Sequence, residues 1–299
     1  MRIGFAVPLA GSWATPDNMA RVARRAEDLG YHGLWTFQRL LYPQGHDMGP
    51  TYRSVHDPVV TLAYLAGLTS RVRLGVAVLN MPFVSPALMA KQLASLQAVS
   101  GGRLDAGLGL GWLPEEFVAS GVSSERRGRR AEEYVPLLRR LWTEEVVEHR
   151  GEFYEVPPAH QDPKPPVVPP ILLGGSAEVA LRRAGRLADG WIGSSREDLG
   201  RIGERISIVK EAARAAGRDP GALRFITRGV TRVRPPGAPG REPLTGSFEE
   251  IRQDVDGLAA QGVTEVFHDF NFDPEIASPD ADPKESMRRA EAALEALAP

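Results

Sequence analysis

The chain has no cysteine. That excludes disulfides, thiolate nucleophiles and thiolate metal sites, and it fits a cytoplasmic location. An excess of charge is also missing. The formal net charge is -2 over 299 residues, so no electrostatic footprint points to nucleic acid or to an anionic membrane. No run approaches the ~18 consecutive apolar residues that a membrane-spanning helix needs. The six histidines lack the H-x-x-x-H spacing of a metal-binding helix, so no metal is expected. A G-x-S-x-G nucleophile elbow is absent as well, which counts against a serine hydrolase.

What is present is ordinary for a globular chain, with 42% hydrophobic and 25% charged residues. The length suits one barrel of roughly 250 residues or two smaller domains. The opening MRIGFAVPLAGSW resembles a signal peptide only superficially. Gly4 and Pro8 interrupt the apolar run, and it reads as a first strand. Strand-like runs then recur, each with a helical segment behind it: 2–8, 33–37, 72–80, 103–112, 170–176, 189–194, 223–233 and 263–271.

Helix starts are legible. Thr15-Pro16, Asp57-Pro58 and Ser85-Pro86 each set a capping side chain before a proline, and Ser247 with Glu250 forms a capping box. Residues 143–170 carry seven prolines (157, 158, 163, 165, 166, 169, 170) and cannot be regular helix. Eight strand-plus-helix units predict a TIM-type (β/α)8 barrel over residues 1–299, a single domain with insertion loops at its C-terminal face. A doubly wound sheet is the competing architecture.

The fourth strand, RLDAGLGLGW, has glycine at 107, 109 and 111. A dinucleotide fingerprint needs G-x-G-x-x-G on the first strand of its unit; here the spacing is G-x-G-x-G on the fourth. Alternate glycines strip one strand face of side chains. They either clear room for a flat ring at the barrel's C-terminal end or relieve crowding inside it. The fifth strand ends in Gly174-Gly175-Ser176 directly before a helix. This is either an anion site built from free N–H groups and a hydroxyl, or a plain cap in a tight turn.

In combination these segments resemble the luciferase-like monooxygenase superfamily, in particular its deazaflavin (coenzyme F420)-dependent branch. The resemblance is carried by Thr69–Trp112, by Glu115–Phe117 and by Pro169–Trp191. It implies a cofactor at the strand C-termini, a homodimer, a small-molecule substrate and a non-proline cis peptide between Ala77 and Val78. It also implies cofactor-binding roles: Ala77, Val78 and Asn80 behind the ring, with Leu110, Gly111 and Trp112 at its edge. Gly174, Gly175 and Ser176 would hold a phosphate, and Glu116 would reach the site. On this basis the glycines of the fourth strand should make space for a tricycle.

One departure stands out. Where many relatives carry Asp-His after the second strand, this chain has Gln38-Arg39. Arginine is not a general acid or base near neutral pH. Arg39 would instead meet the ring's pyrimidine edge or a substrate acid, unless it is a surface residue of the loop. His268 and His56 are the best substitutes for the missing histidine, so Arg39, Gln38, His268 and His56 are the candidate catalytic residues. The substrate pocket should draw on residues 38–56, 81–85, 151–170 and those after 268, with Phe37, Tyr42, Tyr52, Phe83, Phe153, Phe270 and Phe272 suggesting an apolar or planar ligand. The leading expectation is F420-dependent hydride transfer. The alternatives are a monooxygenase using reduced FMN and oxygen, and a flavin- or deazaflavin-binding protein without turnover.

Overall fold

A computed structural model describes residues 1–299. Eight parallel strands close into a barrel: β1 (Arg2–Ala6), β2 (Gly33–Thr36), β3 (Arg73–Val76), β4 (Leu104–Gly109), β5 (Ile171–Gly174), β6 (Gly190–Gly193), β7 (Arg224–Val230) and β8 (Glu265–Asp269). Pairing runs in chain order, and β8 returns to β1, with Ile3 beside Val266. The helices behind the strands are α1 (Pro16–Asp28), α2 (Pro58–Ala66), α3 (Pro86–Val99), the short α4 (Pro114–Ala119), α5 (Arg127–Thr143), α6 (Glu178–Leu187), α7 (Ile202–Ala215) and α8 (Phe248–Ala260), then the one-turn α9 (Pro274–Ala277) and α10 (Pro283–Ala296).

The caps form where their residues stand. Thr15, Asp57 and Ser85 each accept from the main-chain N–H three residues on, and both halves of the Ser247/Glu250 box are made. No helix is long and apolar enough to cross a membrane. The proline-rich stretch holds an antiparallel hairpin, Val147–Arg150 against Glu155–Ala159. Pro157 and Pro158 are tolerated there because this two-stranded ribbon has free edges.

Two main cores result, beside a small cluster of Leu9, Ala10 and Phe37. The larger lies between barrel and helices. The smaller fills the lumen with Ala6, Trp35, Ala77, Leu172, Ile192, Ile226 and Phe267. Trp35 stacks on Phe267 with centroids 5.0 Å apart. A Cβ on Gly75 would come within 2.5 Å of the Trp35 ring, so that glycine admits the indole.

Below this layer, at the strand N-termini, the lumen is ionic. Arg73 grips Asp105 through two nitrogens, and Arg224 bridges Asp105 to Glu265. Glu265 also accepts from Trp35 Nε1 at 2.9 Å. Burial pushes the Asp105 carboxyl upward, but the donors of Arg73 and Arg224 outweigh it and hold it below the usual range. Burial dominates at Glu265 and raises it.

β3 does not run straight on. Gly75 pairs with Asp105 and Leu79 with Leu108, so β3 advances four residues where β4 advances three. The extra residue is a bulge, and the Ala77–Val78 peptide within it is cis, as the resemblance implied. Leu79–Asn80 resumes pairing on β4 beyond it.

Candidate functional site

The bulge explains the glycines of β4. A Cβ on Gly107 would lie 1.9 Å from the Val76 carbonyl oxygen, and one on Gly109 would lie 2.4 Å from Val78 Cγ2. On β5, a Cβ on Gly174 would stand 3.3 Å from Val78 Cγ1. These three glycines therefore make room for the β3 bulge and its valine. Of the fourth-strand glycines expected to clear space for a tricycle, Gly107 serves the bulge instead, whereas Gly109 and Gly111 line a cavity. Val78 occupies the cleared volume and itself becomes the floor of that cavity.

That cavity has a volume of about 530 Å³ and opens at the C-terminal ends of the strands. Its floor is apolar, with Ala77, Val78, Leu110 and Ile192. At one side stand Gly174–Ala177, Ser194 and Ser195. In the first turn of α6 the Glu178 and Val179 N–H groups have no partner, whereas Ala180 N–H donates to the Ala177 carbonyl at 2.8 Å, and the cap, Ala177, supplies no side-chain acceptor. Arg127 and Arg183 reach the same side. Gly128 gives Arg183 its place, since a Cβ there would be 2.6 Å from Nη2, and Arg183 Nε is buried without a hydrogen-bond partner. Ser176 hydroxyl donates to Glu197 at 3.0 Å, so the donors facing the cavity here are main-chain N–H groups and guanidinia.

Across the mouth, the loop after β2 supplies Phe37, Gln38, Arg39 and Tyr52. Gln38 Oε1 accepts from the Asn80 N–H at 2.9 Å, tying this loop to the end of the bulge. The Arg39 side chain is only 5% exposed, so it is not a surface residue. Its guanidinium lies 4.7 Å from the ring centroids of both Tyr52 and Trp112, which pack edge to face on each other, so two adjacent π systems border the cation. Glu116 Oε1 is 3.0 Å from Arg39 Nη1, but that oxygen already accepts from Leu40 N–H at 2.8 Å.

The structure therefore brings Gln38, Arg39, Ala77, Val78, Asn80, Leu110, Gly111, Trp112, Gly174, Gly175 and Ser176 to one cavity. Three other candidates do not line it. Glu116 is buried behind Arg39. His56 Nε2 pairs with the Ala14 carbonyl at 3.0 Å. His268 is 1% exposed, its Nδ1 lies 3.0 Å from Thr231 Oγ1, and burial drops its pKa to about 4. Both histidines are thereby committed to holding main chain or a neighbouring strand, away from the cavity.

The expected pocket segments also need correcting. Residues 81–85, 151–170 and those after 268 are not among the lining residues. Of the seven aromatics named, only Phe37 and Tyr52 line the cavity. Phe83 packs on Phe117 instead, Phe153 lies under Arg126 and Arg130, and Phe270 stacks on Phe5. Phe272 packs against Phe37 and Tyr52 from behind.

Sequence reasoning missed Arg228, at the top of β7. It bonds the Ala77 carbonyl, lies 3.3 Å from Asp269 and sits over Phe37 and Phe272. The signal was available: Arg224, Ile226 and Arg228 alternate, so all three face the lumen. Burial raises the Asp269 carboxyl, with Arg228 opposing.

An apolar floor flanked by main-chain N–H donors and arginines fits a flat ring with an anionic tail. No cluster of three or more metal-ligating side chains is present.

The comparisons agree with this geometry. Residues 2–292 match the family described as luciferase-like monooxygenase. An uncharacterized protein of Mycobacterium tuberculosis (strain ATCC 25618 / H37Rv) is 35% identical over 205 residues, 64% of this chain and 71% of that one. An F420-dependent glucose-6-phosphate dehydrogenase of Amycolatopsis mediterranei is 30% identical over 208 residues, 67% of this chain and 60% of that one. Among solved structures, the monooxygenase RslO1 of Streptomyces bottropensis superposes with a TM-score of 0.80 at 24% identity, covering 99% of this chain and 98% of that one. The match over nearly the whole length places this chain in the luciferase-like monooxygenase family of oxidoreductases.

Proposed function

We propose that the protein is an F420-dependent oxidoreductase that moves a hydride between the deazaflavin and a small organic substrate. The observation that carries the reading is the two-sided cavity: a Val78 floor shaped by the β3 bulge, continuous with the N-terminal turn of α6. The choice of F420 is supported by the similarity to the Amycolatopsis dehydrogenase. When bound, the deazaflavin supplies a hydride at its C5 and does not activate oxygen.

The chain's own part is positioning and electrostatics. Ala77, Val78 and Asn80 would back the ring, with Leu110, Gly111 and Trp112 at its edge. Gly174–Ser176, Arg127 and Arg183 would hold the anionic tail. Arg228 fixes the Ala77 carbonyl, and Gln38 fixes the amide of Asn80, so the surface beneath the ring is held from two sides. The Trp35 layer closes the lumen below and keeps water from entering through the barrel.

Equilibrium titration with F420 and with FMN tests the reading. Tighter binding of F420, with anaerobic turnover of its reduced or oxidised form, is the expected result. FMN binding without F420 binding, coupled to oxygen consumption, overturns it in favour of a monooxygenase.

A further inference from the structure

Of the charged side chains lining the cavity, Arg39, Arg127, Arg183 and Arg228 are all cations, and no Asp or Glu faces it. The acids stand behind: Glu116 behind Arg39, and Asp269 behind Arg228. Arg127 and Arg183 lie beside α6, and Arg228 is engaged by Asp269 and the Ala77 carbonyl. Arg39 shares with Arg183 and Arg228 a buried Nε that makes no hydrogen bond. Its Nη1 lies 3.0 Å from Glu116 Oε1, an oxygen that also accepts from the N–H groups of Leu40 and Leu41. It differs from the other two in having Tyr52 and Trp112 as its neighbours across the mouth from α6.

A buried guanidinium with unmatched N–H groups is costly unless an acceptor arrives. Tyr52 and Trp112, packed edge to face on each other, both border it, and Glu116 holds its Nη1, so its orientation is set before any ligand enters. A planar fork held in advance suits a carboxylate, which accepts two parallel N–H bonds. Its surroundings, Phe37, Tyr52 and Trp112, suit a flat apolar body attached to that acid. β2 and β5 are three strands apart around the barrel, so Arg39 belongs to a different wall of the cavity from the α6 turn assigned to the cofactor's tail.

We propose that Arg39 is the recognition residue for a carboxylate on a flat organic substrate, so that the enzyme acts on aromatic or similarly planar carboxylic acids. This deepens the functional reading above and rests on it.

Calorimetric titration with benzoate and with its neutral isostere benzamide, in the presence and absence of bound F420, tests the proposal. Benzoate should bind the wild type at least about tenfold tighter than benzamide, as a charge-assisted hydrogen-bonded pair allows. Arg39→Met should equalise the two, and Arg39→Lys should lose part of the preference because the fork is gone. F420 affinity should stay within about twofold in both variants. If Arg39→Met does not fold, Arg39→Lys alone decides. Equal binding of benzoate and benzamide by the wild type overturns the proposal. So does an Arg39→Lys protein that keeps the preference but loses F420 affinity, which would assign Arg39 to the cofactor. Failure of F420 and FMN to bind the wild type sinks the functional reading instead, while the benzoate-to-benzamide ratio still judges Arg39.

Discussion

The two ends of the barrel use the same residue types in opposite ways. At the N-terminal end, Arg73, Asp105, Arg224 and Glu265 face one another, and both carboxylates are paired with arginine within the lumen. At the C-terminal end the acids lie behind the arginines, and the cations look outward into open volume. Paired charge makes a rigid base. Cations whose partners stand behind them make a surface that a ligand completes.

Removing Asp105 gives the largest effect on this contrast. Asp105→Ala leaves the half-buried Arg73 without its carboxylate and Arg224 with Glu265 alone, and stability should fall by about 3–5 kcal/mol in a urea titration. F420 affinity of the fraction that remains folded should be unchanged. A large loss of affinity would mean that the two ends are coupled.

Acid sharpens the contrast next. His268 has a folded pKa of about 4 against the usual 6.5, so between these values the unfolded chain binds the proton and the folded one does not. Its contribution to stability is intact above pH 6.5 and is lost as pH falls toward 4. His32, at the other end, is lowered to about 4 by burial and by the nearby Arg2 and Arg224, and adds in the same direction. His268→Gln should reduce the stability lost between pH 7 and pH 4.5 by about 2–3 kcal/mol. An unaltered acid limb in the urea midpoints would contradict the burial argument.

The smallest change in stability should accompany the largest change at the site. Gly109→Ala sets a Cβ against Val78 and should cost about 1–3 kcal/mol by overpacking, while weakening F420 binding because the floor moves. Val78→Ala in the same chain should restore stability in a double-mutant cycle. Additive effects would show that Val78 is not what Gly109 accommodates.

The barrel was legible because its signals are local. Caps such as Asp57-Pro58, the apolar run 72–80 and the β-branched strands announce their elements within a few residues. Much of the cavity lining was reached as well, but through the family resemblance, which pointed to Asn80, Gly111 and Gly174. What was not legible depended on residues distant in sequence. Gly107 looks like an open slot until Val76 and Val78, some thirty positions earlier, are placed against it. Glu116 looks like a ligand-binding acid until Arg39 is found in front of it. Arg183 carries no signal in the sequence, because its place depends on Gly128, some fifty positions earlier.

The stacked Trp35–Phe267 layer has a kinetic consequence. It turns the barrel into a cup with a sealed base, so traffic passes through one mouth. Two ligands sharing such a cup must queue: whichever lies on Val78 enters first and departs last. Turnover then favours a cofactor that stays through many cycles while substrate and product exchange above it.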